Sequence, residues 1–385
     1  MKTIDVPNMV LIGATGRNVG KTTLACALIE RLRSKFRVIG VKVTAADDEQ
    51  GSARTGSKGC GSCDDLRGPY EIIEEQNAEG KKDTCLMLQA QAAKVYWVKS
   101  LRSHLPDAVN ALLSQVGRDC VLVCESTGLR SVVRPGLFLL ADNAEPASSR
   151  PSAERVRQWV DRVVCFAGQG FDVDLDSIRY DGERWHCPAR ASCIILAGGR
   201  SRRMGQDKSL LPIEGKPMIQ HVLDQVRPHF DEIIVSSNTP EVHQFPGIKT
   251  VSDQEQDRGP LMGIFTAMQA SSHDTSFVVA CDMPNVDITL MRQMLRQAYR
   301  YDAVIPRANQ RLLEPLFAVY NRSMLPIIEK SLAQGKNKVQ DVVTLGRVLY
   351  VDLTDAQQKA LLNLNTKQEY TRFRETDATR QAEAE

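Results

Sequence analysis

Residues 193–211 read Cys-Ile-Ile-Leu-Ala-Gly-Gly-Arg-Ser-Arg-Arg-Met-Gly-Gln-Asp-Lys-Ser-Leu-Leu. Ile194, Ile195 and Leu196 make a short apolar run of the kind a buried strand needs. The run passes through Ala197 into Gly198 and Gly199, where the missing Cβ lets the main chain lie close against a ligand. Arg200, Arg202 and Arg203 follow, and Asp207-Lys208 ends the loop. Peptide N–H groups and Arg/Lys heads both favour spread negative charge, so the expected ligand is a polyphosphate.

A chain of 385 residues exceeds what one core usually fills, which predicts two domains. With 42% hydrophobic and 25% charged residues the class is ordinary α/β, and a net charge of +2 makes no case for nucleic acid or membrane. No apolar run approaches the roughly 20 residues of a membrane helix. The N-terminus, with Asp5 and Pro7 ahead of a glycine loop, does not read as a signal peptide. Most of the ten cysteines sit singly in apolar strands, as Cys120, Cys124, Cys165 and Cys281 do. That usage fits reduced thiols and a cytoplasmic protein.

In the first half, Met9-Val10-Leu11-Ile12 is a strand, residues 13–20 a glycine loop, and Lys21-Thr22-Thr23 opens a helix with Leu24, Leu28 and Leu32 on one face. This is the order of a phosphate cradle. Gly16, Gly20, Lys21, Thr22 and Thr23 are its candidate GTP-binding residues. Lys21 would reach the outer phosphates, and the Thr22 hydroxyl would hold Mg²⁺. Thr15 stands where the usual pattern has glycine. The plainer reading is a loop that only turns a strand into a helix. Strands are also expected over residues 37–43, 93–98, 119–124, 136–140 and 162–166. Glu125, at the carboxyl end of one of them, is a second Mg²⁺ candidate, or else an ordinary strand-end acid.

Residues 51–68 are rich in Gly, Ser and charge and contain Cys60-Gly-Ser-Cys63. A structural zinc site wants four ligands, and only Cys85 offers a third, so free thiols in an insertion are the alternative. Gly80-Lys-Lys-Asp83-Thr84, the Ala90–Val95 run and Gly40-Val41-Lys42, taken with the Gly-Lys-Thr loop, resemble the GTP-binding accessory proteins of molybdopterin-guanine dinucleotide synthesis. That resemblance implies a P-loop NTPase-like three-layer sandwich over residues 1–188, with residues 189–375 a second domain and 376–385 a polar tail.

In the second half, Pro217 is expected at the first position of a helix whose stripe is Met218, Val222 and Val226. Strands end at Asn238, at Asp253 and at Cys281-Asp282. Polar groups at strand ends lie where open α/β sheets bind ligands, and an Asp facing a phosphate loop is a Mg²⁺ candidate rather than a stray acid. Leu196–Lys208, Gly259-Pro-Leu-x-Gly263, Cys281-Asp-Met-Pro284, Glu314-Pro-Leu-Phe-Ala318 and Asn363-Leu-Asn365-Thr366 together closely resemble the molybdenum cofactor guanylyltransferases. The resemblance implies a Rossmann-like nucleotidyltransferase sheet that joins GMP from GTP to Mo-molybdopterin and releases pyrophosphate. It offers Asn363 and Asn365 as pterin contacts.

On this reading Arg203, Lys208 and Asp282 are catalytic. Leu196, Ala197, Gly198, Gly199, Lys208, Asn238, Asp253 and Asp282 bind the nucleotide, and Asp282 carries Mg²⁺. Arg203 and Lys208 stabilise the departing pyrophosphate. A phosphate nucleophile is already ionised near neutral pH, so no general base is needed. His221 reads as structural. Cytidylyl transfer to the pterin and nucleotidyl transfer to a sugar phosphate remain as other chemistries. A GTP-dependent adaptor that delivers cofactor to a molybdoenzyme or chaperone partner is the reading from another class.

Overall fold

The computed structural model describes residues 3–47, 66–143, 151–166, 168, 170–197, 207–364 and 366–373. Gly198, Gly199, Arg203, Asn365, Cys60, Cys63 and the tail 376–385 lie outside the described residues. The chain divides into two units, Met1–Cys187 and Pro188–Glu385.

In the first unit β1 (Ile4–Ala14) leads through the glycine loop to α1 (Lys21–Leu32). There follow β2 (Val38–Ala46), β3 (Tyr70–Glu74), α2 (Asp83–Gln89), β4 (Lys94–Leu101), α3 (Leu105–Val116) and β5 (Val121–Glu125). Then come β6 (Val133–Asn143), α4 (Pro151–Val156), β7 (Arg162–Phe166) and a small hairpin of β8 (Arg179–Tyr180) and β9 (Trp185–His186). Among the described residues the main sheet runs β3-β4-β2-β5-β1-β6-β7, and all its pairings are parallel except β3 with β4. Side chains alternate across β1: Met9 and Leu11 join the core under α3 and α4, and Val10 and Ile12 join the core under α1. Both faces are covered, which is why the strand reads as an unbroken apolar run.

The second unit opens with β10 (Ala189–Leu196), the two-residue strands β11 (Pro212–Ile213) and β12 (Lys216–Pro217), and α5 (Met218–Val226). It continues with β13 (Phe230–Ser236), β14 (Lys249–Val251), α6 (Pro260–Ala270), β15 (Thr275–Ala280) and α7 (Ile288–Gln297). The remainder is β16 (Ala303–Ala308), β17 (Leu312–Leu313), β18 (Phe317–Asn321), α8 (Leu325–Ala333), α9 (Val339–Val343), β19 (Val348–Asp352) and α10 (Asp355–Ala360). The sheet order is β14-β13-β10-β15-β18-β16-β17, with β19 against β16. Its first four strands are parallel, whereas β18 runs antiparallel to both β15 and β16. The sheet is therefore mixed rather than purely doubly wound. Cys193 and Ile195 of β10 face the core of α5 and α7, and Ile194 and Leu196 face that of α6 and α8.

Pro217 departs from expectation. It is the extended N-cap of α5, at φ −54° and ψ 141°, and pairs with Pro212 across the β11–β12 ribbon. The short ribbon takes the residue that the helix would otherwise have used.

Candidate functional site

In the second unit the register fixes the site. Leu196, the last residue of β10, is partnered by Ser236 on one side and Ala280 on the other. The loops after β10, β13 and β15 therefore leave one sheet edge side by side, the edge where open α/β sheets take ligands. The Ala197 N–H donates to the Ser236 carbonyl at 2.8 Å, and that of Cys281 to Leu196 at 3.0 Å. These bonds set the first residue of each loop before it diverges.

Asp282 follows β15 by two residues, and its Oδ2 lies 3.4 Å from Lys208 Nζ. Both side chains are largely withdrawn from water, 21% and 17% exposed. Burial raises the Asp282 carboxyl above its usual range, and Lys208 only partly offsets this. Lys208 begins a single 3-10 turn capped by Asp207, whose Oδ1 accepts from the Ser209 N–H at 2.9 Å. The cap aims the ammonium by fixing the turn that carries it.

Asn238 and Asp253 meet through two bonds: Asn238 Nδ2 donates to Asp253 Oδ2 at 2.8 Å, and the Asp253 N–H donates to Asn238 Oδ1 at 3.0 Å. Burial raises the Asp253 carboxyl. Beneath this pair passes α6 at Gly263, where an added Cβ would stand 2.7 Å from Ser236 Oγ and 3.3 Å from Asp253 Oδ1. The helix can approach the sheet only because the residue is glycine. Asn363 donates to Glu314, whose carboxyl burial raises. The next residue, Leu364, donates its N–H to the Asp282 carbonyl at 2.9 Å. The segment carrying Asn363 is thus tied to the aspartate at the sheet edge.

His243 carries no signal in the sequence, because Ser209 is 34 positions away and Ser237, six positions away, shares no helix or strand with it. It is fully buried, with Nε2 2.7 Å from Ser209 Oγ and Nδ1 2.7 Å from Ser237 Oγ. His221, by contrast, faces Glu214 at 3.7 Å.

In the first unit, Gly20 caps α1 at φ +80°, and its missing Cβ would lie 2.9 Å from Phe166 Cβ. Lys21 and Thr22 open the helix, and both turn to Glu125, the last residue of the neighbouring parallel strand β5. Lys21 Nζ lies 3.2 Å from Oε1, and Thr22 Oγ1 donates to Oε2 at 3.0 Å. Glu125 is 3% exposed, so these two partners stand in for the water that burial removes. Gly16 and Thr23 flank them in the same loop and first helical turn. Thr15, in the place of the usual glycine, spends its hydroxyl on Asp142 at the end of β6. Cys85 is buried, and no cluster of three or more metal-ligating side chains occurs among the described residues. No helix among them is long and apolar enough to cross a membrane.

A family described as the MobA-like NTP transferase domain matches residues 193–348. A probable molybdenum cofactor guanylyltransferase of Pelotomaculum thermopropionicum is 39% identical over 190 residues, spanning 48% of this chain and 92% of that protein. The molybdenum cofactor guanylyltransferase of Syntrophotalea carbinolica is 35% identical, over 48% of this chain and 90% of its own. The crystal structure of molybdopterin-guanine dinucleotide biosynthesis protein A from Archaeoglobus fulgidus is 23% identical, covering 49% of this chain and 99% of that one at a TM-score of 0.44.

Proposed function

The chain belongs to the molybdenum cofactor guanylyltransferases and is an enzyme, and from that membership we propose that the unit Pro188–Glu385 transfers GMP from GTP to the terminal phosphate of Mo-molybdopterin. The observation that carries this reading is the Lys208–Asp282 pair at the carboxyl edge beside Leu196. A phosphate oxygen of the pterin attacks the α-phosphorus of GTP in line, and pyrophosphate leaves. Two anions must meet while a third departs, so the protein's main task is charge compensation.

Asp282 is a carboxylate beside Lys208 at the carboxyl edge of the sheet, a hard oxygen donor of the kind that would suit Mg²⁺. Asp282 would hold the ion, whose contribution would be charge neutralisation at the nucleotide phosphates. Lys208 stabilises the pyrophosphate, assisted by Arg203, and the Gly198 and Gly199 amides with Leu196 and Ala197 orient the phosphate chain. Asn238 and Asp253, locked to each other, read base or ribose. Asn363, and Asn365 beyond it, contact the pterin. The nucleophile needs no proton removed, because a phosphate monoester is ionised near neutral pH.

The first unit binds a second GTP as an accessory domain. Lys21 supports its outer phosphates, while the Thr22 hydroxyl and the Glu125 carboxylate form the hard-oxygen pair suited to Mg²⁺. Delivery to a molybdoenzyme partner would be its contribution. Cys26, Cys85, Cys120, Cys124, Cys193 and Cys281 are free thiols, in keeping with a reducing cytoplasm.

The test is turnover with GTP and CTP in competition. The wild type should form the guanine dinucleotide, and Asp282→Asn should lose activity by about 100-fold or more. Its circular dichroism should be unchanged. Near-wild-type turnover by a folded Asp282→Asn removes the metal role, and preference for CTP removes the guanylyl assignment.

A further inference from the structure

A buried imidazole costs free energy unless both nitrogens are paired, and an apolar side chain would fill the same space without that requirement. His243 is 0% exposed and meets the requirement in full. With its ring in the Nε2–H form, the hydrogen bonds run in one direction. Ser237 Oγ donates to Nδ1 at 2.7 Å, Nε2 donates to Ser209 Oγ at 2.7 Å, and Ser209 Oγ donates to Asp207 Oδ1 at 2.7 Å. The Thr239 N–H occupies the remaining side of Ser237 Oγ at 3.0 Å.

The two ends of this chain of bonds sit beside the two halves of the nucleotide site. Ser237 immediately precedes Asn238, which is paired to Asp253. Ser209 immediately follows Lys208, which faces Asp282. The element bearing Lys208 is a single short 3-10 turn, Lys208–Leu210. Through His243 it is anchored to the end of β13, a strand inside the sheet.

We propose that His243 is a positioning residue for guanylyl transfer: through Ser209 it fixes the Lys208 turn relative to the Asn238–Asp253 pair, so that the ammonium is aimed at the additional charge that grows on the leaving pyrophosphate. This rests on the role given to Lys208 above. An interaction realised in the transition state acts on kcat rather than on KM.

The experiment is a double-substitution cycle on the full chain, read as steady-state kcat and as KM for GTP. His243→Phe, which keeps volume and removes both polar contacts, should lower kcat about tenfold or more while KM for GTP stays within about threefold. In a Lys208→Ala background the same substitution should cost less than about twofold, because the group it positions is gone. His243→Gln, which restores a donor toward Ser209, should recover much of the loss. An unchanged kcat in folded His243→Phe overturns the inference, as does an equal loss in both backgrounds. If His243→Phe does not fold, Ser209→Ala takes its place in the cycle, and the same two outcomes overturn the inference. A Lys208→Ala enzyme as fast as wild type would instead defeat the assignment of Lys208 itself.

Discussion

Asp282 and Asp253 are both carboxyls raised by burial, but Asp282 has the Lys208 cation beside it whereas Asp253 is paired with an amide. The folded protein therefore holds the Asp253 proton to a higher pH than the unfolded chain does. Below the unfolded pKa both states are protonated and the group is neutral to stability; as pH rises through the raised folded value, stability is lost. Asp253→Asn should accordingly raise the thermal midpoint of the nucleotide-free protein at neutral pH, with the gain disappearing in acid. Unfolding scans at the two pH values check it, and a loss of stability at neutral pH would contradict the burial account. The acids themselves are legible as residues at strand ends. His243 is not, because positions 209, 237 and 243 share no period and meet only after the strands have paired.

Among elements, β10 is the most readable. Its apolar run is buried on both faces and ends at glycines, so composition and punctuation agree. The strands from β16 to β19 are not legible in the sequence. They are short, β16 carries Pro306 and Arg307 within it, and no local pattern announces its antiparallel partners β17 and β18 or its parallel partner β19. The strand β3 escapes notice for a related reason: Tyr-Glu-Ile-Ile-Glu is half-buried throughout and shows no clean alternation. Helix α6 shows how one element couples to the site. Gly263→Ala would press a methyl group onto Ser236 Oγ and toward Asp253, costing about 1–3 kcal/mol of stability as overpacking does. It should also raise KM for GTP by displacing the Asn238–Asp253 pair. Denaturant melts and Michaelis plots measure the two effects, and a rise in KM without loss of stability would show that the contact is relieved locally. The cap of α7 is a simpler case. Asp287 accepts from the Leu290 N–H at 2.9 Å, so Asp287→Ala should cost about 1 kcal/mol and leave turnover alone.

For the molecule as a whole, the two units are assigned different work, and Lys21 separates them. Lys21→Ala leaves Glu125 with the Thr22 hydroxyl and removes the cation expected at the outer phosphates of the first site. Calorimetry with GTP should then lose one of two binding events while guanylyl transfer in a purified assay persists. Abolition of transfer would overturn this division. The bond from the Leu364 N–H to the Asp282 carbonyl has a consequence for how the enzyme comes into being. Asp282, proposed to lie at the reacting phosphates, has its carbonyl paired by a segment synthesised roughly eighty positions later. A nascent polypeptide, or one clipped by a protease ahead of Leu364, could already possess the strands β10, β13 and β15 and yet leave that carbonyl without its mate. Competence would then wait until the segment bearing Leu364 has been made and has docked.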